Sequence, residues 1–269
     1  MVRGEIGALE AIFQQHFRHV TLIRLRGGML THLKTQPGLK NKILAGLPSE
    51  EFDAIRPLLC PVNLKARSVL QEAKRRIEHV DFIEAGIVSI RTLVSDSILE
   101  TAMVGVQGAI GLSIALGWDK SPSQSMALVS GTVLRADVDD LRRVMLVHPL
   151  IREHMLRHAQ AQMIHSAHTA LCGMRHGLEP RLACWICLAC DTLDRRVLPL
   201  TQVDLSTILG FRRPSIAEAL VRFEVQGLIR RTRGVIEVQD RGSLGERACD
   251  CYHIIRHAYQ AAAQLCRSD

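Results

Sequence analysis

The sequence predicts an α+β protein with an N-terminal β jelly roll, a long central helix and a C-terminal winged helix-turn-helix. Three patterns predict this order. Short runs rich in Val and Ile alternate with turn residues up to about residue 137, a helical spacing of small and apolar residues follows Val138, and two short amphipathic helices precede a hairpin near the C-terminus. A chain of 269 residues exceeds one typical domain of roughly 100–200 residues. We therefore expect at least two domains.

Composition and charge limit the class of protein. The chain is 47% hydrophobic and 23% charged, which is typical of a folded protein, and only 4% aromatic, so aliphatic side chains must fill the core. The net charge of +7 favours an acidic partner, nucleic acid before an anionic membrane. Eight cysteines without a secretory leader predict free thiols in a reducing cytoplasm.

One apolar stretch tests the expectation that the protein does not enter a membrane. Thr101 to Trp118 carries no charge over 18 residues, close to the ~20 residues that span a bilayer. It also contains Gln107 and glycines at 105, 108, 111 and 117, which lower its helix propensity and indicate turns. We predict that this stretch is buried inside a compact domain. Trp118 is then expected in the core, or as the cover of a ligand pocket.

The N-terminal residues 1–43 form a basic arm before the first predicted domain. They hold seven Lys and Arg residues against two acids. Two interpretations remain open, a solvated tail and an arm that contacts nucleic-acid phosphates. The β domain is predicted over 44–147, opening with a helix that Ser49 caps, and its clearest strands are 80–94 and 98–104.

The segment 148–178 predicts one long helix that begins near Pro149. Small and apolar side chains recur there every three or four residues, which places them in one stripe. The stripe consists of Leu156, Ala159, Met163, Ser166, Ala170 and Gly173. Because such a stripe suits close packing against another helix, we expect a symmetric dimer. Packing against the chain's own β domain is the alternative.

Residues 179–269 predict the winged helix-turn-helix. Thr201 to Asp204 forms a capping box that starts the first helix, and Gly210 ends it. Pro214 suits the start of the second helix after a turn of about three residues. The predicted buried face consists of Leu205, Ile208, Leu209, Ile216, Ala219, Leu220 and Phe223. The alternation from Val235 to Val238, paired with Ile229, predicts the hairpin, or wing.

Arginines concentrate on this unit and predict that it binds DNA. The second helix of such a unit presents its N-terminal residues to base edges, and arginine donates two hydrogen bonds to guanine. The candidate base contacts are Arg212, Arg213, Ser215 and Glu218, the candidate phosphate contacts are Arg230, Arg231 and Arg233, and Arg222 is a further DNA-binding candidate. Glu218 has two open roles, accepting from a cytosine amino group or pairing with Arg222 four residues later. A solvated, arginine-rich helical subdomain is the alternative.

The order of elements from about Leu47 to Cys266 resembles the Crp/Fnr family of bacterial transcription regulators. The resemblance is carried by LAGLPSEEFDAI, RIEHVDFIEAGIVSI, GVQGAIGL, the long helix, LTQVDLSTILGFRRPSIAEALVRFEVQGLI with RGVIEVQDRGSL, and ACDCYHIIRHAY. It implies a cyclic-nucleotide-binding-like sensor domain, a dimerisation helix and a DNA-binding domain. It also implies a homodimer on a two-fold symmetric double-stranded operator, RNA polymerase as a partner, and an effector that rotates the DNA-binding domains.

Two departures from the family pattern limit what the resemblance implies. Pro214, Ala217 and Glu218 stand where many members read DNA with a Glu-x-x-Ser-Arg pattern, so the usual target sequence does not carry over. Members that bind cyclic AMP hold it with a Gly-Glu segment and a following Arg, whereas here Leu112 replaces the Glu and SPSQSMAL has no Arg. Without a cation to face the phosphate, cyclic AMP is not the expected effector. The candidate effector pocket consists of Gly108, Gly111, Leu112 and Ser125.

Cysteines offer a rival sensor. Cys184, Cys187 and Cys190 recur every three residues, with Cys172 upstream, and would share one helix face. They are candidates for metal binding or oxidation sensing, and the alternative is that they are small buried hydrophobes. The N-terminal cysteine motif that holds an iron–sulfur cluster in oxygen-sensing relatives is absent, because no cysteine precedes Cys60. Cys249 and Cys251 lie two apart on a predicted helix, so we expect their thiols to point apart.

The remaining candidates concern histidine and other functional classes. His154, His158, His165 and His168 lie on the long helix, and the first two have a zinc-like spacing without a third ligand nearby, so we expect them at a solvated or dimer surface. The sequence has no phosphate-binding Gly-x-x-x-x-Gly-Lys loop, no Gly-x-Ser-x-Gly elbow and no His-Glu-x-x-His pair. An enzyme is therefore not expected. A ligand-, metal- or thiol-responsive signalling module that does not read DNA is the other alternative.

Overall fold

A computed structural model describes residues 38–94 and 97–264, so the predicted basic arm lies outside the described residues as far as residue 37. The helices are α1 Lys42–Ala45, α2 Ser49–Ile55, α3 Val138–Val147, α4 Pro149–Arg175, α5 Leu178–Leu193, α6 Gln202–Leu209, α7 Arg213–Val225, α8 Arg241–Arg247 and α9 Cys251–Ala263. The strands are β1 Cys60–Leu64, β2 Val69–Gln71, β3 His79–Val94, β4 Ser97–Val104, β5 Ala109–Ile110, β6 Gln124–Asp137, β7 Val197–Leu198, β8 Ile229–Thr232 and β9 Val235–Val238. Short 3-10 helices cover Arg56–Leu58 and Leu112–Leu116. The predicted α+β class is confirmed.

Strands β1 to β6 form the N-terminal jelly roll. They pair antiparallel in the order β1-β6-β3-β4, with β2 on β6 and β5 on β3. Register shifts in the pairing of β3 with β6 bend both long strands, so the sheet curls around its own core. Inward side chains such as Phe82 and Val133 are fully buried there. The predicted strands 80–94 and 98–104 are confirmed as β3 and β4.

Packing of the N-terminal part begins at Asn41. Its buried amide donates to the carbonyls of Ile83 and Gly108, at 3.0 and 2.7 Å, and its side-chain oxygen caps α1. The prediction that Ser49 caps the next helix is wrong. Pro48 takes the N-cap position with an extended backbone, so Ser49 is already the first residue of α2 and makes no capping bond.

Helix α4 begins at Pro149, as predicted, and runs for 27 residues. Its N-terminal half packs against the jelly roll, where Ile151 and Met155 are fully buried. Arg152 adds a hydrogen bond from Nε to the carbonyl of Ala115 at 2.9 Å. Helix α3 leads into it and is capped by Asp137, which accepts from two backbone amides of its first turn.

The histidines of α4 are not on a solvated surface. His154, His158 and His165 are at most 3% exposed, so the expected surface placement is wrong for these three. Loss of hydration disfavours the charged imidazole and lowers the pKa of His158 to about 4 and that of His165 to about 3. Both rings are therefore neutral parts of the core at physiological pH.

Helices α5 to α9 and the sheet β7-β9-β8 form the C-terminal domain. All seven residues predicted for the buried face of the helix-turn-helix are buried, and five of them are fully enclosed by α5, α9 and the wing strands. Helix α9 returns along α4, so the C-terminal domain is fastened to the long helix as well as to its own core.

The two domains also touch through β4. Glu100 accepts a hydrogen bond from the indole Nε1 of Trp185 at 2.7 Å, and Gln107 donates to the Thr192 hydroxyl at 3.0 Å. A Cβ added at Gly105 would lie 2.6 Å from the Thr192 carbonyl oxygen, so only glycine allows this approach. The jelly roll and the DNA-binding candidate are thus connected by packing and by buried hydrogen bonds.

The apolar stretch from Thr101 to Trp118 ends β4, forms β5 and continues into a 3-10 helix. Within the described ranges, none of the helices has both the length and the apolarity needed to cross a bilayer. Trp118 is 63% exposed, in contrast to the expected core or pocket placement. The 3-10 helix ends at Gly117 with a positive φ of 84°, which turns the following tryptophan outward.

Candidate functional site

The helix-turn-helix consists of α6, α7 and the turn between them. The predicted capping box is present, because the Thr201 hydroxyl accepts from the Asp204 amide while Asp204 accepts from the Thr201 amide. Gly210 ends α6 with a φ of 71°, and α7 starts at Arg213 with Pro214 as its second residue. The spacing of α6, turn and α7 therefore follows from caps that the sequence shows directly.

Two side chains missed by sequence reasoning hold the turn. The Arg181 guanidinium donates to the Leu209 carbonyl at 2.9 Å and lies 4.8 Å from the centre of the Phe211 ring. The Ser206 hydroxyl donates to the Phe211 carbonyl at 2.6 Å. The partner of Ser206 is also close in sequence, whereas Arg181 lies 28 residues before Leu209. No periodicity in the sequence indicates that pair.

The first turn of α7 presents its arginines to solvent. Arg212 and Arg213 are exposed, and Ser215 is half-buried beside them. Among the described residues, no carboxylate pairs with either arginine. Both guanidinium groups are therefore available to a ligand, at a helix N-terminus where backbone amides also favour negative charge.

The wing lies beside this turn. Arg213 lines one groove of about 440 Å³ together with Gln202 at the start of α6 and Arg231 and Arg233 of the wing. Such a groove, lined by three guanidinium groups and a helix N-terminus, suits a phosphate backbone. Arg230 is exposed on the same hairpin.

Two of the predicted DNA contacts are already paired within the chain. Arg231 donates to Glu224 through Nε and Nη2 at 2.9 and 2.6 Å, and its backbone amide donates to the same carboxylate. These bonds hold the pKa of Glu224 below its usual range. Arg222 pairs with Glu179 at 2.5 Å, and not with Glu218.

Glu218 is thus left exposed on the outer face of α7. No described cation lies within ion-pair distance of it. Of its two predicted roles, the surface pair with Arg222 is not present in the structure.

A second cavity lies between the jelly roll and α4. It has a volume of about 390 Å³ and is lined by Gly111, Leu112 and Ser125, three of the predicted effector-pocket residues, with Gln71 and Gln162. Gly108 lies elsewhere, because its carbonyl is bound to Asn41. Among the described residues that line the cavity, none is Lys, Arg or His.

The cysteines of α5 are core residues. Cys184, Cys187 and Cys190 are at most 5% exposed, and burial raises the pKa of Cys187 to about 12 and that of Cys190 to about 11. The Cys187 sulfur accepts from Arg241 Nη1 at 2.7 Å. These two thiols therefore stay protonated and behave as small apolar groups.

Cys249 and Cys251 do not point apart, so that expectation is wrong. Cys249 precedes α9 in non-helical backbone and Cys251 is the first residue of the helix, so helical geometry does not separate them. Their sulfurs lie in one cluster with Cys172 and His176. Hydrogen bonds from the Cys172 and Cys184 thiols lower the pKa of Cys249.

The C-terminal domain matches a known protein family. Residues 180–247 match the family model of the Crp-like helix-turn-helix domain. Over 122 residues, the chain is 34% identical to the HTH-type transcriptional regulator Cmr of Mycobacterium tuberculosis (strain CDC 1551 / Oshkosh), and the alignment covers 45% of this chain and 49% of Cmr. The match thus spans about half the length of that curated relative.

Solved structures share the fold over most of the chain. FixK2 from Bradyrhizobium japonicum matches with a TM-score of 0.62 at 15% identity, over 71% of this chain and 98% of its own. A protein of the Crp/Fnr family from Eubacterium rectale gives 0.54 at 14% identity over 75% and 94%, and a CRP-family regulator from Thermus thermophilus gives 0.56 at 15% over 70% and 96%. The C-terminal domain thus matches the Crp-like helix-turn-helix family model, and the chain shares the fold of solved Crp/Fnr-type structures.

Proposed function

We propose that the chain is a sequence-specific, DNA-binding transcription regulator that acts as a homodimer. The observation that carries this proposal is the pair of exposed, unpaired arginines at the start of α7, Arg212 and Arg213, beside the arginines of the wing. A recognition helix contacts bases through these first residues, while wing residues lie along the phosphates.

The internal ion pairs divide the arginines by role. Arg212 and Arg213, with Ser215, contact bases, and Glu218, exposed on the outer face of the same helix, is a further candidate base contact. Arg230 and Arg233 contact phosphate. Arg231 is paired with Glu224, and Arg222 is paired with Glu179. Only the N–H donors that these ion pairs leave free can contact DNA, so the main effect of both arginines is to hold the wing and α7 in position.

The dimer is supported by the open face of α4. Met163, Ala167, Ala170 and Met174 follow a four-three-four spacing along the helix and are all exposed, with Met163 at 59% and Met174 at 83%. Apolar side chains, large and small, at such spacing form the seam of a two-helix coiled coil. A second copy of α4 would cover them and set two reading helices on a two-fold axis.

The cavity beside α4 supports regulation by a ligand other than cyclic AMP. It contains no basic side chain among the described residues to neutralise a cyclic phosphate, while its serines and glutamines offer neutral hydrogen bonds. Met163 belongs both to this cavity and to the proposed seam. A ligand there would therefore act directly on the dimer helix.

Selection of bound duplexes from a random library tests the proposal. At about 150 mM salt, where binding to phosphates alone is weakened, we expect the purified chain to enrich a two-fold symmetric motif with half-sites whole helical turns apart. The same selection repeated with cell-extract metabolites screens for the effector.

Arginine variants then test the reading residues. We expect Arg213→Ala to weaken binding to the selected duplex by about 1–3 kcal/mol and to relax the preference at one base position. Arg75→Ala is the matched control, because it removes one exposed arginine from the jelly roll. Equal losses for Arg213→Ala on selected and random duplexes would contradict base reading and favour a signalling module that does not read DNA.

A further inference from the structure

A cluster of four metal-ligating side chains lies where α4 ends. Cys172 is in the last turn of α4, and His176 is its C-cap. Cys249 and Cys251 come from the start of α9, which folds back against the same place. The three sulfurs and one imidazole nitrogen all lie within 4.8 Å of one another, although 77 residues separate Cys172 from Cys249.

The spacing of these atoms fits one tetrahedral ion. Ligands at about 2.3 Å for sulfur and about 2.0 Å for nitrogen stand roughly 3.4–3.8 Å apart around zinc. The Cys172 and Cys249 sulfurs are 3.4 Å apart, and the Cys251 sulfur is 3.8 Å from His176 Nδ1. The two most distant ligand atoms of the cluster are at most 4.8 Å apart, and small side-chain rotations would bring them to the spacing around one ion.

We infer that Cys172, His176, Cys249 and Cys251 form a binding site for a zinc-type divalent ion. Three thiolates and one imidazole are a known structural zinc set, and soft sulfur ligands disfavour magnesium and calcium, which take oxygen. On binding, each thiol gives its proton to solvent, and the imidazole binds through its neutral nitrogen. The ion with three thiolates then carries one net negative charge.

The surroundings suit such an ion. The C-terminal carbonyls of α4 favour a cation, and the N-terminus of α9 favours the thiolates of Cys249 and Cys251. The Arg181 guanidinium lies beside Gly173, one residue from Cys172, where it offsets the net negative charge. The Cys249 amide also donates to the Pro180 carbonyl at 3.4 Å, which orients the loop towards the cluster.

Ordinary burial does not account for this convergence. Cys187 and Cys190 show what buried cysteines of this chain do otherwise, because each lies in the α5 core outside the cluster. In the cluster, three thiols from two distant segments meet a histidine, and a fourth thiol, Cys184, is within hydrogen-bonding range of Cys172 and Cys249. A cavity of about 440 Å³ lined by Cys172, Cys184 and Cys251 gives an ion a path from solvent.

The site would join the two halves of the molecule. His176 ends α4, and α5 begins at Leu178, so the ligands flank the single connection from the long helix to the helix-turn-helix domain. The ion would fix α9 to α4 at that connection. This inference does not depend on DNA binding, and its test needs no operator.

Cobalt is the probe for the test, because thiolate-bound tetrahedral Co²⁺ absorbs strongly in the visible and near-ultraviolet. The full-length chain, reduced and stripped of metal, is titrated with Co²⁺ and then with Zn²⁺. We expect one equivalent of cobalt per chain with a thiolate-to-metal band, displacement by one equivalent of zinc, and a rise in the unfolding midpoint of about 5 °C or more at saturating zinc.

Variants and alkylation locate the ligands. Cys172→Ser and Cys251→Ser should lose the thiolate band by at least half, whereas Cys190→Ser in the α5 core and Cys60→Ser on the surface should keep it. Because a ligand variant can misfold, the wild-type chain is also alkylated with and without zinc. We expect zinc to protect Cys172, Cys249 and Cys251, and not Cys60, as mapped by peptide mass.

The inference is overturned by any of three results. These are the absence of a thiolate-to-metal band in the folded chain, equal loss of that band in Cys190→Ser and Cys172→Ser, and a Cys172–Cys249 disulfide that forms while no metal binds.

Discussion

Glu100 is a buried carboxyl group whose pKa is shifted by its surroundings. It lies in β4, is 5% exposed, and is bound to the Ser89 hydroxyl and the Trp185 indole. Burial disfavours the carboxylate and raises its pKa, while the two hydrogen bonds and the charge of Arg91 only partly oppose this. Ionising Glu100 therefore costs free energy at the contact between the two domains.

Glu100→Gln should stabilise the protein above pH 5. Because the pKa is raised in the folded state, wild-type stability is fully present below the unfolded value of 4.5 and is lost as the pH rises towards the folded value. Glutamine keeps an acceptor for Trp185 and has no proton to lose. The free energy of unfolding of the variant should exceed that of wild type by an amount that grows as the pH rises, as measured by urea unfolding between pH 4 and pH 8.

The control for this change is Glu78→Gln, which replaces an exposed glutamate of the same domain. Its unfolding free energy should stay within about 0.5 kcal/mol of wild type at every pH. Parallel pH profiles for Glu100→Gln and wild type would show that Glu100 ionises normally.

At this scale the sequence predicted local chemistry and missed long-range pairs. The capping box at Thr201 and the helix end at Gly210 could be predicted, because their partners lie within a few residues. Glu100 and Trp185 are 85 residues apart, and nothing in either segment's periodicity shows that they meet. Cys249 was misplaced because the helix begins at Cys251 and does not include Cys249.

Among the elements, α4 changes its surroundings along its length. Of the predicted stripe, Ala159 packs on the jelly roll, whereas Met163, Ala170 and Gly173 are exposed and Ser166 is half-buried. Sequence could not separate the two uses, because packing on a sheet and packing on a second helix require the same apolar period. The change from packed to open positions is visible only in the exposed fractions of the α4 side chains.

Charge on the open seam should separate the dimer. Met163→Glu combined with Met174→Glu places four carboxylates in the proposed interface of two chains, where burial without cations is costly. We expect a shift from dimer to monomer, with the dissociation constant raised by at least about 100-fold, as measured by sedimentation. The fold of each chain should be unchanged, since both side chains are exposed.

Leu146→Glu is the matched control for the seam. Leu146 is 86% exposed at the end of α3, so this variant also replaces an exposed apolar residue with a carboxylate. It should remain a dimer. A double seam variant that sediments like Leu146→Glu would place the dimer interface elsewhere.

For the whole molecule, the decisive feature is that the jelly roll and the C-terminal domain share a core. One hydrophobic cluster includes Ile87 and Met103 of the jelly roll together with α5, α6 and α7. The order of the domains followed from sequence patterns, but their docking did not, because each domain alone satisfies its own pattern. The orientation of α7 is therefore coupled to the sheet that adjoins the cavity beside α4.

Trp185→Phe should weaken this docking. The variant keeps an aromatic ring but removes the Nε1 donor, so Glu100 loses a buried hydrogen bond at a cost of about 1–3 kcal/mol. We expect a lower and broader calorimetric transition, because the two domains unfold less cooperatively. Trp118→Phe is the matched control, since it changes the other tryptophan, which is 63% exposed, and should leave the midpoint within about 1 °C.

The double variant of Trp185→Phe and Glu100→Gln should lose less stability than the sum of the single effects, because the penalty of an unpaired carboxylate disappears with the carboxylate. Strict additivity would mean that the hydrogen bond between Trp185 and Glu100 contributes nothing to the docking of the two domains.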